Sequence, residues 1–431
     1  MKKMILVLMP LSILMATNVK GQAPQVVIDK AETERIEKFL SSDDLAGRKT
    51  FSKDIDKAAD FIANEFKTAG LAKLNPLPTY LQSFTKLNVK FISAKGNLDG
   101  TEIEGRSIIA VTPQASLVVN ETSGYEVVKI NKEDNLIVAV RKYIAANKPY
   151  VVMVDESFAQ NFNRLVQLKS NTNAQQASLI FVLSNLSPAK FSFDIQNQIE
   201  QLPLANVVGV IPGKTMPNEY VIFSGHYDHL GVNGKKAVDG DSIYNGANDD
   251  AAGTTAMIML SKYFKKLNNN ARTLIFVAFT AEEVGGFGAQ YFSKQFDPMT
   301  VKAMFNLEMI GTESKWGKNS AYITGFEKTN MGTILQKNLE GTGFQFYPDP
   351  YTDQNLFYRS DNATLARLGV PAHTISTSKM DNEPTYHKVS DQFETIDLVN
   401  MNEIIKAIAL SAQSIISGKD TPTRVDTTQL K

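Results

Sequence analysis

The sequence predicts an α/β protein: a mixed, mostly parallel central sheet flanked by helices, with a strand-rich segment inserted before most of that sheet. Two observations predict the sheet. The runs "YVIFSG" (220–225), "TLIFVAFT" (273–280), "AMFNL" (303–307) and "VPAHTI" (370–375) are apolar throughout rather than alternating, as strands covered on both faces are. Helical stretches such as "GTTAMIMLSKYFKKL" (253–267) lie between several of them, the order of an α/β sheet. A third observation predicts the insertion. From about 88 to 203 the texture changes to short apolar runs separated by turn-formers.

In chain order, residues 1–23 read as a secretory signal peptide. Lys2 and Lys3 precede the apolar run Met4–Met15, and small or polar residues surround Gly21–Ala23. The apolar part is too short to span a bilayer comfortably. The mature protein is therefore expected to be exported, periplasmic or extracellular, without a membrane span. Residues 24–87 read as the N-terminal helical part of the main domain, helical over 28–72 and ended by the Pro-containing stretch 75–79. Ile28, Ala31, Ile36 and Leu40 share one face, as do Ile55, Ala58, Phe61, Ile62 and Phe66, and Gly70 stops the second helix. Within 88–203 the runs "SIIAV" (107–111), "SLVV" (116–119), "LIVAV" (136–140), "YVVMV" (150–154) and "SLIFVL" (178–183) read as strands. Residues 204–418 carry the sheet proper, and 419–431 form a polar tail.

Composition narrows the chemistry. Lysine plus arginine (45) balance aspartate plus glutamate (45), and without a basic excess or an arginine-rich run no nucleic-acid partner is expected. The chain has no cysteine. Stability must come from burial or from bound metal, and any metal must be held by His, Asp and Glu.

The residues just beyond the apolar strands point to a site. "YVIFSG" runs into His226 and Asp228, "TLIFVAFT" into Ala281-Glu282-Glu283, and "AMFNL" into Glu308. "YNGANDDAAG" (244–253), with Asp249 and Asp250, lies just before the 253–267 helix. Ligands of α/β sheets bind beyond the C-terminal ends of strands. Histidine is scarce, and His226 and His387 are the two read as belonging to the set; His229 is read as pointing elsewhere, and His373 as a packed or hydrogen-bonded residue of its strand. Imidazoles with carboxylates and no thiolate suit zinc, or less specifically cobalt or manganese. Two His and three acids are too many for one catalytic zinc but suit two ions sharing a bridging carboxylate. The pair Glu282-Glu283 can supply both a ligand and a free base.

The ordered motifs "SGHYDHLG", "GANDDAAG", "AEEVGG", "NLEMIG" and "YHKVSD", with "ANVVGVIPGK" and "FLSSDDLAGRKT" upstream, resemble those of the M28 family of zinc aminopeptidases. The likeness covers 30–80 and 204–400. It implies a zinc-exopeptidase (phosphorylase/hydrolase-like) fold and two Zn²⁺, with Co²⁺ or Mn²⁺ as substitutes. By the same resemblance His226 and Glu308 bind one ion, Glu283 and His387 the other, and Asp249 bridges them. Glu282 is the implied general base, Asp228 the acid that orients His226, and Tyr386 a stabiliser of the oxyanion. Asp250 is implied to support Asp249 through a cis peptide. Many relatives have Asp where this chain has Glu308. The implied substrates are peptides with a free N-terminus. A carboxypeptidase or other amidohydrolase, a glutaminyl-cyclase-like activity and an inactive binding module are the alternatives. The 88–203 segment resembles a protease-associated β domain in place and texture only, and a structural lid or a lineage-specific domain fits equally well.

Overall fold

A computed structural model describes residues 27–171 and 176–430; the signal-peptide reading lies outside them. Two helices open the described chain. In α1 (Lys30–Leu40) the Asp29 side chain caps Glu32 N, and in α2 (Lys53–Ala69) Ser52 caps the first turn. Gly70, at φ 74°, ends α2 in the left-handed conformation its lack of a Cβ permits.

The strands after them are β1 (Leu81–Leu98), β2 (Ile108–Val111), β3 (Ser116–Asn120) and β4 (Glu126–Ile130). Helix α3 (Leu136–Ala146) precedes β5 (Tyr150–Val154), β6 (Leu179–Leu183) and β7 (Phe191–Ile211). Next come β8 (Met216–His226), α4 (Ala252–Leu267), β9 (Arg272–Phe279) and β10 (Val301–Leu307). The chain continues through β11 (Ser320–Ile323), α5 (Met331–Asn338), β12 (Gln345–Pro348), β13 (Ala372–Ser376) and α6 (Leu398–Ser411).

The large sheet runs β12-β11-β13-β10-β8-β9-β7-β1. Its centre, β13-β10-β8-β9, is parallel, whereas β7 and β1 join antiparallel. Alternate residues of the central strands feed two cores. Phe223, Phe276 and Phe305 pack toward α1, α2, α4 and α6, while Ile222, Ile275 and Met304 face the opposite layer. Burial on both faces is why these strands read as unbroken apolar runs.

Strands β1 and β7 pair from Leu81 opposite Val207 to Leu98 opposite Phe191, so residues 88 and 203 fall inside strands rather than in linkers. Beyond them a separate sheet, β2-β6-β5-β4, packs on β3 and the far ends of β1 and β7. One expectation is corrected here: "LIVAV" is the first half of α3, not a strand. Asn135 accepts from Val138 N, Leu136 and Val140 are buried, and Ala139, Tyr143 and Ile144 pack beside them. That spacing is helical, and it becomes visible only in a window longer than those five residues. The polar tail is also docked. Arg272 donates to Asp420 O, Arg424 donates to Val301 O, and Val425 is buried.

Candidate metal centre

Register sets the site. Ser224 pairs with Asn306, which brings His226 level with Glu308 two residues further along parallel β8 and β10. His226 also pairs with Phe279 of β9, so Glu282 and Glu283 leave the sheet beside it. Three turns at this edge hold a non-glycine residue in the left-handed region: Ala281 (φ 61°), Met309 (φ 51°) and His387 (φ 55°). Such conformations cluster at functional sites.

His226 Nε2 lies 3.2 Å from Asp249 Oδ1 and 3.3 Å from Glu308 Oε1. His387 Nε2 lies 3.3 Å from Asp249 Oδ2 and 3.2 Å from Glu283 Oε2. Asp249 thus offers one oxygen to each imidazole. Bonds of about 2.0 Å to a tetrahedral zinc put neighbouring ligand atoms about 3.3 Å apart, so the spacing and the N/O donor set fit two ions with Asp249 between them. Glu282 and Tyr386 line the same pocket.

The surrounding groups fix this geometry. Asp249 and Asp250 are joined by a cis peptide. Buried Asp250 accepts from His226 N (3.0 Å), Met309 N (3.0 Å) and Gly253 N (3.1 Å), tying together the loops that carry His226, Asp249 and Glu308. A Cβ on Gly253 would stand 2.2 Å from Leu307 O and 2.4 Å from Asp250 Oδ1, which explains the glycine that closes "YNGANDDAAG". Asp391, which carries no mark of its role in the sequence, accepts from Asn248 N (2.8 Å) and Asp249 N (3.0 Å). Ser360, equally unmarked, donates to Glu308 Oε2 at 2.6 Å.

Two site expectations are corrected by the structure. His226 Nδ1 donates to the backbone oxygen of Asp228 (3.1 Å), leaving Nε2 for the site, while the Asp228 carboxylate stands 3.8 Å away. That carboxylate is already engaged by Thr50 Oγ1 (2.8 Å), Glu282 N (3.0 Å) and Glu283 N (3.3 Å). Asp228 therefore orients the histidine through its main chain and the glutamate pair through its side chain. His229 does not point elsewhere: it is buried, with Nδ1 2.8 Å from Glu283 Oε1 and 4.0 Å from Asp249 Oδ2. A single residue in a motif shows no direction for its side chain, and only the turn from Asp228 to Gly231 supplies it. His373 is packed in its strand as expected, bonded to Thr324 O and Thr329 Oγ1.

The electrostatics reflect crowding. Burial opposes a charge on His226, yet the Glu308 and Asp249 carboxylates raise its pKa well above the ordinary value. Bonds to Asp249 and Glu283 lift His387 to about 10. Asp249 is held well below the usual range by His226 and His387, against its desolvation. Desolvation, reinforced by the charge of Glu308, pushes Glu282 well above the usual range.

Residues 206–412 match the profile of peptidase family M28. Over these residues, just under half of the chain, it is similar to members of that family. A 155-residue stretch is 32% identical to a probable zinc metalloprotease of Pyrenophora teres f. teres, covering 36% of this chain and 32% of that protein. The chain thus spans about a third of the length of such curated relatives. In fold it is similar to an aminopeptidase from Aneurinibacillus sp. strain AM-1, with TM-score 0.54, 18% identity, and 95% of this chain and 99% of that one covered. A zinc aminopeptidase from Bacillus subtilis aligns with TM-score 0.53 and 14% identity over 91% and 97% of the two chains. Among the described residues no helix is long and apolar enough to cross a membrane.

Proposed function

We propose that this protein is an exported zinc-dependent aminopeptidase that removes N-terminal residues from peptides with two ions at the His226–Asp249–Glu308 and Asp249–Glu283–His387 groups. The observation that carries the reading is the sharing of Asp249 between two imidazoles, each with its own second carboxylate. The family match supports zinc as the metal, and the signal-like N-terminus supports export.

Bound zinc would polarise the scissile carbonyl and acidify the attacking water. Glu282 accepts that water's proton and delivers it to the departing amine. Its place on a turn tied by Asp228 keeps its carboxylate beside the ligands without engaging it in the cluster's imidazole contacts. Tyr386 stacks on His387 at 4.0 Å between ring centroids, and its desolvated phenol stays protonated, ready to donate to the carbonyl oxygen as charge develops there. The acid-lined pocket suits a substrate's free ammonium group, in keeping with the names of the two structural neighbours.

A carboxypeptidase is the second reading, because Arg359 also lines the pocket and could take a terminal carboxylate. The deciding experiment combines metal analysis with free, N-blocked and C-amidated peptides, run beside Glu282→Gln. Aminopeptidase activity requires that N-blocking abolish cleavage while C-amidation does not. Full activity of a two-zinc Glu282→Gln protein would remove Glu282 as the base.

A further inference from the structure

We propose that Arg48, with Thr50 beside it, is a positioning residue that locks the loop after His226 to the loop before Asp249 and so sets the spacing of the shared metal site. The inference rests on the two-ion reading above. Arg48 lies in "FLSSDDLAGRKT", outside the matched M28 residues, and its side chain is only 1% exposed. A buried guanidinium ordinarily faces a carboxylate. This one instead donates to four carbonyl oxygens: Tyr227 (2.9 Å), Asn245 (2.5 Å), Gly246 (2.9 Å) and Leu40. Tyr227 separates His226 from Asp228, and Gly246 lies three residues before Asp249. One planar group thus holds both loops against α1.

The next residues extend the clamp. Arg48 O accepts from His229 N (3.1 Å), and Thr50 Oγ1 donates to the Asp228 carboxylate that holds the Glu282 and Glu283 amides. The chain is threaded tightly enough that a Cβ on Gly47 would stand 2.5 Å from Tyr244 O. Arg48 itself adopts φ 46°, an unusual conformation for a side-chain-bearing residue.

Charge and geometry predict opposite signs, which makes the idea testable. A cation close to Asp249 and Asp228 weakens zinc binding through repulsion, so loss of charge alone would tighten it. Loss of the fork would loosen it. Lysine keeps the charge but offers its donors from one atom and cannot reproduce the planar fork.

The test uses the full chain, with Zn²⁺ affinity measured by competition against a chromophoric chelator, and kcat and KM measured on a cleaved peptide. Arg48→Lys and Arg48→Ala are expected to lose about tenfold or more in zinc affinity, the scale of supporting-residue effects at metal sites, with kcat falling more than KM. Guanidinium at non-denaturing concentration should restore part of the Arg48→Ala loss, and ammonium should not. Thr50→Val, nearly isosteric, decides the matter if the Arg48 variants do not fold, and a several-fold loss of zinc affinity is expected. Folded variants with wild-type affinity and kcat, beside an active two-zinc wild type, would overturn this proposal alone. A wild type that bound no zinc would overturn the two-ion reading and this proposal together.

Discussion

His229 Nδ1 stands 2.8 Å from Glu283 Oε1, while the other oxygen of that carboxylate lies 3.2 Å from His387 Nε2. Glu283 is held between a buried imidazole and one that is 37% exposed. The buried partner lies against one carboxylate oxygen, and the exposed one approaches the other from the loop before Asp391. His229→Ala should therefore weaken the ion at Glu283 and His387 by about 10- to 100-fold, the range for residues supporting a metal ligand, and spare the ion at His226 and Glu308. Equilibrium dialysis with metal analysis reads this directly. Two ions bound with unchanged affinity would show that His387 and Asp249 suffice.

Zinc uptake should release protons at neutral pH. Without metal, His387 is raised to about 10 by Asp249 and Glu283, and His226 is raised by Glu308 and Asp249 against its burial. A ligating imidazole must be neutral. Calorimetric titration with Zn²⁺ in buffers of different ionisation enthalpy should give a heat that tracks the buffer. The same shift sets a sign for stability. A pKa higher in the folded state stabilises fully below the unfolded value, near 6.5, and loses that contribution as pH rises through about 10. The metal-free protein should thus melt progressively lower from about pH 7 to about pH 10, and the zinc-loaded protein should fall less. Equal slopes in both forms would contradict the pairing.

Gly253→Ala should destabilise the fold. The added methyl would lie 2.2 Å from Leu307 O and 2.4 Å from Asp250 Oδ1, contacts with backbone and with a carboxylate bonded to three amides. Overpacking costs about 1–3 kcal/mol, and displacing Asp250 should put this variant at the upper end. Urea unfolding of the metal-free chain measures it, and a loss below about 0.5 kcal/mol would mean the turn yields freely.

The parts of the site that could be read from the sequence share one property: their signal is local. His226, Glu282, Glu283 and Glu308 each lie at or just past the end of an apolar strand, so topology alone brings them to one edge. Asp249 sits among small residues before a helix. Ser360 carries no such mark, and although Arg48 lies in the upstream motif, neither residue's role is visible locally because both depend on distant chain segments: Arg48 reaches Tyr227, and Ser360 reaches Glu308. Asp391 lies within a recognised motif, yet its two hydrogen bonds reach back to Asn248 and Asp249. Helix α3 hides for the opposite reason: β-branched residues fill the short window, while its Asn135 cap and helical spacing lie just beyond.

Glu308 is the last proposed ligand to test, because its length is coupled to Ser360. Glu308 Oε1 reaches to 3.3 Å from His226 Nε2, and Oε2 accepts from Ser360 Oγ at 2.6 Å. Ser360 is in turn anchored by Asn306 Nδ2 (2.7 Å), whose Oδ1 accepts from Ser224 Oγ (2.7 Å) across adjacent strands. The sheet thus holds the longer side chain extended. Aspartate at this position would be shorter by one methylene, about 1.3–1.5 Å, and could not keep both contacts without backbone movement. Glu308→Asp should weaken the proposed ion at His226 by about tenfold or more. Ser360→Ala removes only the anchor and should cost less, with its main effect on metal dissociation rate. Chelator-competition kinetics separates the two. An aspartate variant that held zinc as tightly as the wild type would show that the loop after β10, not the side chain's reach, positions this ligand.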